Sequence, residues 1–398
     1  MTGRKNEAGA VSLFSVIFAM LLMSVVTVSF VRLMANDQNQ ATSNDLAQSA
    51  YDSAQAGIED AKRALVWYQE QCRTNSASCS TWASRITTDE CNEALRVTGV
   101  VRSTDIAGGS GAGTGEVLVQ QSLSGQDDEL DQAYTCVTID LDTPYYVGSL
   151  TSGESALIPL RATSGFSEVV IEWFSNDDLS SPSAEVKAPS VTAGRPLLAQ
   201  ENWELDRPAL LRTQFMQVGG GFTLDGFDYM NGAGESNANT LFLYPTSNGN
   251  TTATLVDRDI RMAQNGSSYP AEPGYTPYQT RCETSIVAGG YACRMRVTLP
   301  NAIGGGREDA YVRLTAFYAA THYRVSFSDP TVQFSGVQPE IDSTGRANDV
   351  FRRVKASVNL FDTSFPYPEG AVDVNGSFCK NFGVTDTTYS NNDTSCTP

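Results

Sequence analysis

One histidine, four pairs of acidic residues and eight cysteines are the residues from which this chain could build an active site or a metal site. A Ser-His-Asp triad would have to use His322, whose context, Ala319–Val325, is typical of a turn between two strands. The chain contains no G-x-S-x-G, H-E-x-x-H or P-loop motif. None of the acid pairs completes an EF-hand, which needs a glycine and a distal glutamate. The pairs are Asp140/Asp142, Asp177/Asp178, Asp225/Asp228 and Asp257/Asp259. We therefore expect no enzyme activity, no bound metal and no other cofactor.

The spacing of the cysteines predicts disulfide bonds. None of them forms the C-x-x-C spacing of zinc and redox sites, and all eight follow the N-terminal apolar segment. An even number of cysteines in an exported protein indicates bonds formed in an oxidising compartment. We predict the pairs Cys282–Cys293 and Cys379–Cys396, each of which brackets a short stretch of chain. The other four cysteines allow three pairings, of which we choose Cys72–Cys79 with Cys91–Cys136.

The charge of the chain excludes one class of partner. Its 45 acidic and 27 basic residues give a formal net charge of −18. A chain of this charge repels phosphate backbones, so we expect no binding to nucleic acid. Apolar residues make up 41% of the chain, which is enough for a packed core.

The first structural element that the sequence predicts is an apolar segment near the N-terminus. The leader Met1–Gly9 is polar and contains Arg4 and Lys5, and Ala10–Val31 follows without a charged residue. As a helix this segment would be about 33 Å long, enough to cross a bilayer. A cleaved secretory signal has a shorter apolar core and a small-x-small cleavage site, so a membrane anchor fits better. The basic leader predicts a cytoplasmic N-terminus, with everything after Arg32 outside.

An amphipathic helix continues directly from this segment. Less polar residues recur at gaps of three and four, the spacing of one helix face, at Leu46, Ala50, Ala54, Ile58, Ala61 and Leu65. No proline occurs before Pro144, so one helix from about Ala10 to about Gln69 would be roughly 90 Å long. Because the face is mostly alanine, another backbone could approach it closely.

These features together resemble a known family. A short basic leader, Gly9 followed by the small Ala10, about twenty apolar residues and then an amphipathic helix resemble a type IV prepilin. The stretch LAQSAYDSAQAGIE, residues 46–59, resembles the corresponding stretch of PilX-like minor pilins and of the large tip pseudopilins. The resemblance covers the leader and the helix only, and it leaves the rest of the chain unassigned.

The resemblance implies processing and partners. Prepilin peptidase would cut between Gly9 and Ala10, and Ala10 would become an N-methylated first residue. Major pilins of the family carry a glutamate at the fifth mature position, where this chain has Phe14, so the resemblance favours a minor or tip pilin. The implied partners are other pilin subunits through the helix, membrane lipid before assembly, prepilin peptidase, and a host or neighbouring cell surface.

Beyond the helix, short runs of strand-forming residues between turn residues predict an α+β protein with a large, antiparallel, β-sandwich-like head. The linker-like composition of residues 180–205 leaves a split of the head at that point as the alternative. The predicted divisions are a leader over residues 1–9, a helix over 10–70 with its transmembrane part at 10–31, an irregular disulfide-containing connector over 71–132, the head over 133–361 and a disulfide-looped tail over 362–398.

One segment of the head has the composition of a contact surface. Residues 267–278 are rich in proline and tyrosine, and tyrosine is enriched where proteins meet partners. We predict an exposed contact loop that presents Tyr269, Tyr275 and Tyr278. An ordinary rigid surface loop is the alternative.

The expected function is that of a structural subunit, a minor or tip pilin of a type IV pilus or pilus-like filament. Before assembly it would cross the inner or cell membrane once with an extracytoplasmic head, and after assembly it would lie in a cell-surface pilus. A static, membrane-anchored extracellular binding protein or enzyme is one alternative. A secretion-system pseudopilin is the other.

Overall fold

The chain folds into three α-helices, two short 3₁₀ helices and a series of strands within the residues that the structure, a computed structural model, describes: 8–74, 79–101, 106–107, 115–120, 132–188, 200–217, 238–254, 278–305 and 310–360. The α-helices are α1 (Ala8–Thr74), α2 (Cys79–Ile86) and α3 (Glu93–Val97). The strands are β1 (Ile106–Ala107), β2 (Glu116–Gln120), β3 (Gln132–Thr143), β4 (Tyr145–Leu150), β5 (Ser155–Pro159), β6 (Phe166–Ser175), β7 (Leu210–Gln217), β8 (Ala238–Thr246), β9 (Thr252–Thr254), β10 (Tyr278–Arg281), β11 (Tyr291–Ile303), β12 (Ala310–Phe317), β13 (Thr321–Phe327), β14 (Phe334–Ala347) and β15 (Val350–Ser357).

A single unbroken helix, α1, forms the N-terminal part of the protein. It has 67 residues and is therefore about 100 Å long. The sequence permits this length because no proline interrupts the hydrogen-bond ladder before Pro144. The long helix expected from about Ala10 to about Gln69 is present, and it extends to Ala8 and Thr74.

Regular elements follow α1, where the sequence predicted an irregular connector over residues 71–132. Within that range the structure contains α2, α3, β1 and β2. The prediction of an irregular connector is therefore wrong. It failed because the helices are short and the strands are separated by glycine-rich sequence, so neither gives a long periodic signal. Contacts with more distant residues also contribute, as they do at the start of α3.

One of these contacts is made by Asn92, which precedes α3. Its side-chain amide donates to the carbonyl oxygens of Gly115 and Thr135 at 3.0 and 3.2 Å. Its Oδ1 accepts the amide of Val137 at 2.9 Å. The disulfide bond Cys91–Cys136 lies next to these hydrogen bonds and joins the same two segments. A buried polar side chain and a covalent bond thus fix the start of α3 on β3.

The disulfide bonds of the described residues are those expected from the sequence. They are Cys72–Cys79, Cys91–Cys136 and Cys282–Cys293. The fourth expected pair, Cys379–Cys396, lies outside the described residues. Each of the three bonds joins neighbouring elements, so each restricts the unfolded chain.

The chain divides into two compact units, but at different positions from those expected. The first unit comprises Met1–Ile139 and Ile341–Ala356, and the second comprises Asp140–Glu340 and Ser357–Pro398. The boundaries fall inside strands β3, β14 and β15, and not at the ends of a head over residues 133–361 or within 180–205. No composition change marks such a boundary, because each strand continues through it.

The first unit contains α1, α2, α3 and a sheet with the strand order β1-β2-β3-β14-β15. Most of its buried apolar residues come from the helices and from strands β2, β3 and β14. They include Leu65, Ile86, Leu95, Ile139 and Ile341. This sheet is the surface against which the second half of α1 is buried.

The second unit contains two five-stranded sheets, with the orders β10-β8-β7-β12-β5 and β4-β13-β6-β11-β9. Most neighbouring strands are antiparallel, but β10 is parallel to β8 and β11 is parallel to β9. The expectation of an antiparallel head is therefore corrected to mixed sheets. The parallel neighbours are not consecutive in the chain, so the connections between them are long enough to return to the same end of the sheet.

One apolar core draws side chains from both sheets of the second unit. Ile158 and Val312 belong to one sheet, and Ile171 and Val297 belong to the other. Trp173 is fully buried, and its indole nitrogen donates to the carbonyl oxygen of Ala209 at 3.1 Å. The α+β class predicted from the sequence is therefore confirmed, with a long N-terminal helix and a head rich in sheet.

Candidate functional site

The part of α1 from Phe14 to Met34 carries one charged residue, Arg32, near its end, and its large apolar side chains are 49–74% exposed. They are Phe14, Val16, Ile17, Phe18, Met20, Leu21, Leu22, Met23, Val25, Val26, Val28, Phe30, Val31, Leu33 and Met34. Among the described residues α1 is the one helix long and apolar enough to cross a membrane, with a mean hydropathy of 2.4 over its most apolar 18 residues. This segment, called the apolar rod below, has the length and composition of a membrane span.

Three hydroxyl groups within the apolar rod are hydrogen-bonded to its own backbone. Ser24 and Ser29 donate to the carbonyl oxygens of Leu21 and Val25, each at 2.8 Å. Thr27 donates to the carbonyl oxygen of Met23 at 2.9 Å. A hydroxyl satisfied in this way needs no water, so these polar residues are compatible with a lipid environment.

The second half of α1 buries its alanine-rich face against the sheet of the same unit. The predicted stripe is confirmed, since Ala50, Ala54, Ile58, Ala61 and Leu65 are buried and Leu46 is half-buried. Residues 36–45, between the apolar rod and this stripe, are polar and exposed. The close backbone approach expected from the alanines is made by a strand of the same chain.

The closest approach lies at Gly345 in β14. A Cβ atom there would overlap the carbonyl oxygen of Ala50 and the amide nitrogen of Ala54. On the helix side, a Cβ atom at Gly57 would lie 2.8 Å from Cγ2 of Val137 in β3. Two glycines, one on each element, thus set the distance between α1 and the sheet. We call this contact the glycine seam.

A buried polar contact lies beside the glycine seam. Tyr134 in β3 is 1% exposed, and its hydroxyl donates to Oδ2 of Asp60 at 2.8 Å. The other carboxylate oxygen of Asp60 accepts a guanidinium hydrogen bond from Arg63 at 2.9 Å. Asp60 therefore joins the helix surface to a strand of the sheet, and its charge is balanced on the solvent side.

The exchange Tyr134→Phe is expected to lower the free energy of unfolding by about 1.5 kcal/mol, because it removes a hydrogen bond to a charged acceptor at a buried site. Urea denaturation of the full chain in detergent measures this loss. Tyr51→Phe is the matched control, since Tyr51 lies on the same helix and is 40% exposed. Equal midpoints for the two variants would show that the contact with Asp60 does not stabilise the unit.

The C-terminal end of α1 is fastened to α2. The disulfide bond Cys72–Cys79 spans the two helices. The rings of Trp67 and Trp82 meet edge to face with centroids 4.6 Å apart. The guanidinium carbon of Arg85 lies 5.1 Å from the Trp82 ring centroid. Covalent and aromatic contacts therefore hold the last turn of the long helix.

Two basic side chains of β15, Arg353 and Lys355, contact an acidic residue of the neighbouring strand β14. Arg353 donates from Nε to Oδ1 of Asp342 in β14 at 2.7 Å. This hydrogen bond is the largest contribution that holds the pKa of the Asp342 carboxyl below its ordinary value. Lys355 adds a smaller contribution, with its Nζ 3.7 Å from Oδ2 of Asp342.

The structure places the predicted processing residues at the start of α1. Gly9 and Ala10 belong to the first turn of the helix. Phe14, at the predicted fifth mature position, is 74% exposed and is the first residue of the apolar rod. The predicted positions outside the described residues are Tyr269, Tyr275, Cys379 and Cys396.

Tyr278 corrects part of the predicted contact loop. It is 8% exposed, it begins β10, and its hydroxyl donates to the carbonyl oxygen of Thr252 at 2.5 Å. Burial raises the pKa of this phenol above its ordinary value. Tyr278 therefore belongs to the core and presents no surface to a partner. The sequence prediction failed here because a tyrosine at the end of a proline-rich loop can equally start a strand.

His322 is bound by a carboxylate of the same unit. Its Nδ1 lies 2.7 Å from Oδ1 of Asp178. The Asp178 carboxylate also accepts the backbone amides of His322 and Ser175, at 3.0 and 2.7 Å from Oδ2. These bonds join the turn after β6 to the start of β13. In the part of the chain that the structure describes, no group of three His, Cys, Asp or Glu side chains is placed to hold a metal ion.

Three residues of the helix–sheet contact were not predicted from the sequence: Gly345, Tyr134 and Asn92. A glycine inside a strand pattern is a known signal of close backbone approach, and Gly345 interrupts such a pattern. Tyr134 and Asn92 give no comparable signal, because their partners are distant in the chain.

Comparisons with protein-family models, with curated proteins and with solved structures found no match to this chain. The functional argument therefore starts from the apolar rod and the glycine seam.

Proposed function

We propose that the chain is a minor or tip pilin, a structural subunit of a type IV pilus or pilus-like filament. The observation that carries the proposal is α1, whose apolar rod is exposed on every face while its alanine-rich half is buried against the chain's own sheet. An exposed apolar surface of this size needs lipid or other apolar helices around it. The rod lies in the membrane before assembly and among the helices of other pilin subunits afterwards.

The leader supports the proposed maturation. Met1–Gly9 has the charge and the terminal glycine of a prepilin leader, and Ala10 is the small residue that follows it. Prepilin peptidase would cut between these two residues and leave an N-methylated Ala10. The basic residues of the leader favour a cytoplasmic N-terminus and an extracytoplasmic head.

Phe14 supports a minor or tip position over that of a major pilin. A major pilin uses a carboxylate at the fifth mature position to pair with the terminal amine of a neighbour, and a charge at this depth is costly unless it is paired. Phe14 supplies an apolar side chain at that position. The subunit therefore lacks the usual acceptor for a neighbouring amine, which suits a special place in the filament.

The head is proposed to contact a surface and to carry out no catalysis. We also propose that the two sheets of the second unit form a sandwich, since one apolar core draws on both. Contact with a host or neighbouring cell surface would use residues other than the buried Tyr278. The carboxylate that binds His322 also accepts two backbone amides, which favours a structural role for this pair.

The mature N-terminus tests the proposal. Mass spectrometry of the chain purified from its own cells is expected to show a first residue of methylated Ala10. An intact Met1 would contradict the pilin proposal and favour a static anchor that presents a binding domain or an enzyme.

Filament imaging separates the remaining alternative. An epitope tag on this chain is expected to label purified surface filaments, most often at their ends if the subunit occupies the tip. Deletion of the gene is expected to change filament number without loss of protein secretion. Normal filaments with defective secretion would identify a secretion-system pseudopilin instead.

A further inference from the structure

One side of the sheet β4-β13-β6-β11-β9 in the second unit is turned away from the core. Successive side chains of a strand point to opposite sides of its sheet. On β11, the buried Met295 lies between Arg294 and Arg296, which are exposed. On β4, Tyr146 is buried and Tyr145 is 41% exposed. We call the side that carries these exposed residues the outer face.

The outer face is positively charged, although the whole chain has a formal net charge of −18. The five strands of this sheet contain three arginines, two glutamates and no other lysine, arginine, aspartate or glutamate. Arg324 donates to Glu172 at 2.7 Å, and Glu168 accepts a threonine hydroxyl at 3.2 Å. In the described part of the chain, the side chains of Arg294 and Arg296 have no ion-pair partner. Two exposed cations are therefore available to an anionic ligand.

The register of the strands arranges these groups in two neighbouring rows. One row consists of Arg294, Glu172 and Arg324, which are paired residues of β11, β6 and β13. The other row leads from Arg296 through β6 and β13 to Tyr145 in β4. Since neighbouring strands lie about 4.8 Å apart, the second row is about 14 Å long. The outer face is thus long enough for a ligand of several linked groups.

Two tyrosines lie beside Arg324. Its guanidinium carbon is 4.9 Å from the ring centroid of Tyr291 and 5.7 Å from that of Tyr145. These contacts and the hydrogen bond to Glu172 hold the Arg324 side chain in place. Because Tyr145 remains 41% exposed, part of its surface is open to a ligand. A tyrosine ring offers a rigid, flat apolar surface with a polar end.

The composition of the outer face distinguishes between classes of anionic partner. The centre of a protein–protein interface is apolar and poor in charge, whereas the ion pair of Arg324 with Glu172 lies at the centre here. A long polyanion would be repelled by the net charge of −18. A short acidic saccharide meets neither obstacle. Its carboxylate pairs with an arginine, its hydroxyl groups bond to polar side chains, and the C–H side of a sugar ring packs on a tyrosine.

We propose that the outer face binds a short saccharide that bears a carboxylate, with Arg294 and Arg296 as contacts of the carboxylate and Tyr145 as a contact of a sugar ring. This inference rests on the proposed contact of the head with a cell surface, and it names the chemistry of that contact. None of these residues belongs to the assembly helix.

Calorimetric titration of the full chain in detergent tests the proposal. The probe is trigalacturonic acid, in which every sugar unit bears a carboxylate. Its methyl ester is the matched uncharged probe and is expected to bind at least about tenfold more weakly. Higher salt is expected to weaken the binding of the acid. The acetylated tripeptide amide Glu-Glu-Glu presents carboxylates without sugar rings and is expected to bind more weakly than the saccharide.

Variants locate the site. Arg294→Gln and Arg296→Gln are each expected to weaken binding of the acid about tenfold, because each removes a charged donor. Tyr145→Leu is expected to weaken the acid and the ester by the same factor, about threefold, since its contact involves no charge. Arg352→Gln is the matched control, because Arg352 is an exposed arginine of β15 in the first unit. It is expected to leave the affinity unchanged.

Three results would overturn the inference. One is the absence of binding by trigalacturonic acid up to about 10 mM. Another is tighter binding of the tripeptide than of the saccharide, which would assign the outer face to a protein partner. The third is equal weakening by Arg294→Gln and Arg352→Gln, which would reduce the effect to general charge.

The titration needs neither cleavage of the leader nor a filament, so it is separable from the test of the pilin proposal. A methylated Ala10 without saccharide binding would overturn this inference alone. Saccharide binding by a chain that keeps Met1 in its own cells would overturn the pilin proposal alone. Circular dichroism checks that each variant keeps its fold.

Discussion

The exchange Gly345→Ala is expected to destabilise the first unit by about 3 kcal/mol. This value is at the upper end of the range typical for adding a carbon atom to a well-packed core. The new Cβ atom would overlap the Ala50 carbonyl oxygen and the Ala54 amide nitrogen. Both atoms are backbone, so only separation of α1 from the sheet can relieve the overlap. Hydrogen exchange of the full chain in detergent measures the effect directly, as faster exchange over residues 50–68.

Two further variants show whether the cause is the proposed overlap. Gly99→Ala makes the same chemical change in the same unit, where a Cβ atom meets open space but φ is +72°. Gly99→Ala is expected to lower the free energy of unfolding by only about 1 kcal/mol, because alanine is strained in the left-handed backbone conformation. Ala54→Gly combined with Gly345→Ala is expected to give no rescue, because the atom at Ala54 that is overlapped belongs to the backbone. Full rescue would refute the glycine seam.

The exchange Gly9→Leu is expected to abolish maturation, with all of the chain retained as the precursor. The reason is the proposed cut after Gly9, where a bulky side chain would occupy the position of the glycine hydrogen. Intact-mass measurement of membrane extracts checks this result, since the precursor keeps the leader Met1–Gly9.

Gly3→Leu is the matched control for this prediction, because it changes the other glycine of the leader and leaves the proposed cleavage site intact. It is expected to mature normally and to enter filaments. Normal processing of Gly9→Leu would contradict the prepilin interpretation. Failure of both variants would indicate that the whole leader, and not the residue at the cut, is recognised.

The helix could be predicted from the sequence because its evidence is local. The uncharged run Ala10–Val31 and the stripe from Leu46 to Leu65 both have helical spacing, and no proline separates them. The structure buries that stripe as predicted. Periodicity identifies the buried face of a helix, but it does not identify what covers that face. The covering strand contains Gly345, almost 300 residues away along the chain.

The division into two units could not be predicted from the sequence, because it also depends on contacts between residues far apart in the chain. The first unit takes residues 341–356 from near the end of the chain, and strands β3 and β14 pass through the boundary. Strand pairing depends on contacts between distant residues, and nothing in the local sequence specifies which strands will pair. The same reasoning applies to the parallel pairing of β8 with β10.

The candidate sites show the same contrast. The disulfide pairs could be assigned from spacing because each closes a short loop or belongs to a small set of choices. The hydrogen bond between Tyr134 and Asp60 gives no such signal, because its two residues lie 74 positions apart in the chain.

The continuity of α1 has a mechanical consequence. The helix runs from Ala8 to Thr74 without a break. A force applied to its apolar end is therefore transmitted along the helix to the sheet of the first unit, because no flexible linker lies between them. Force along the helix axis loads the glycine seam in shear, so its close contacts resist together and not one after another. The Cys72–Cys79 bond joins the C-terminal end of α1 covalently to α2. A pull on the apolar end of α1 would therefore be resisted by the glycine seam and by this disulfide bond.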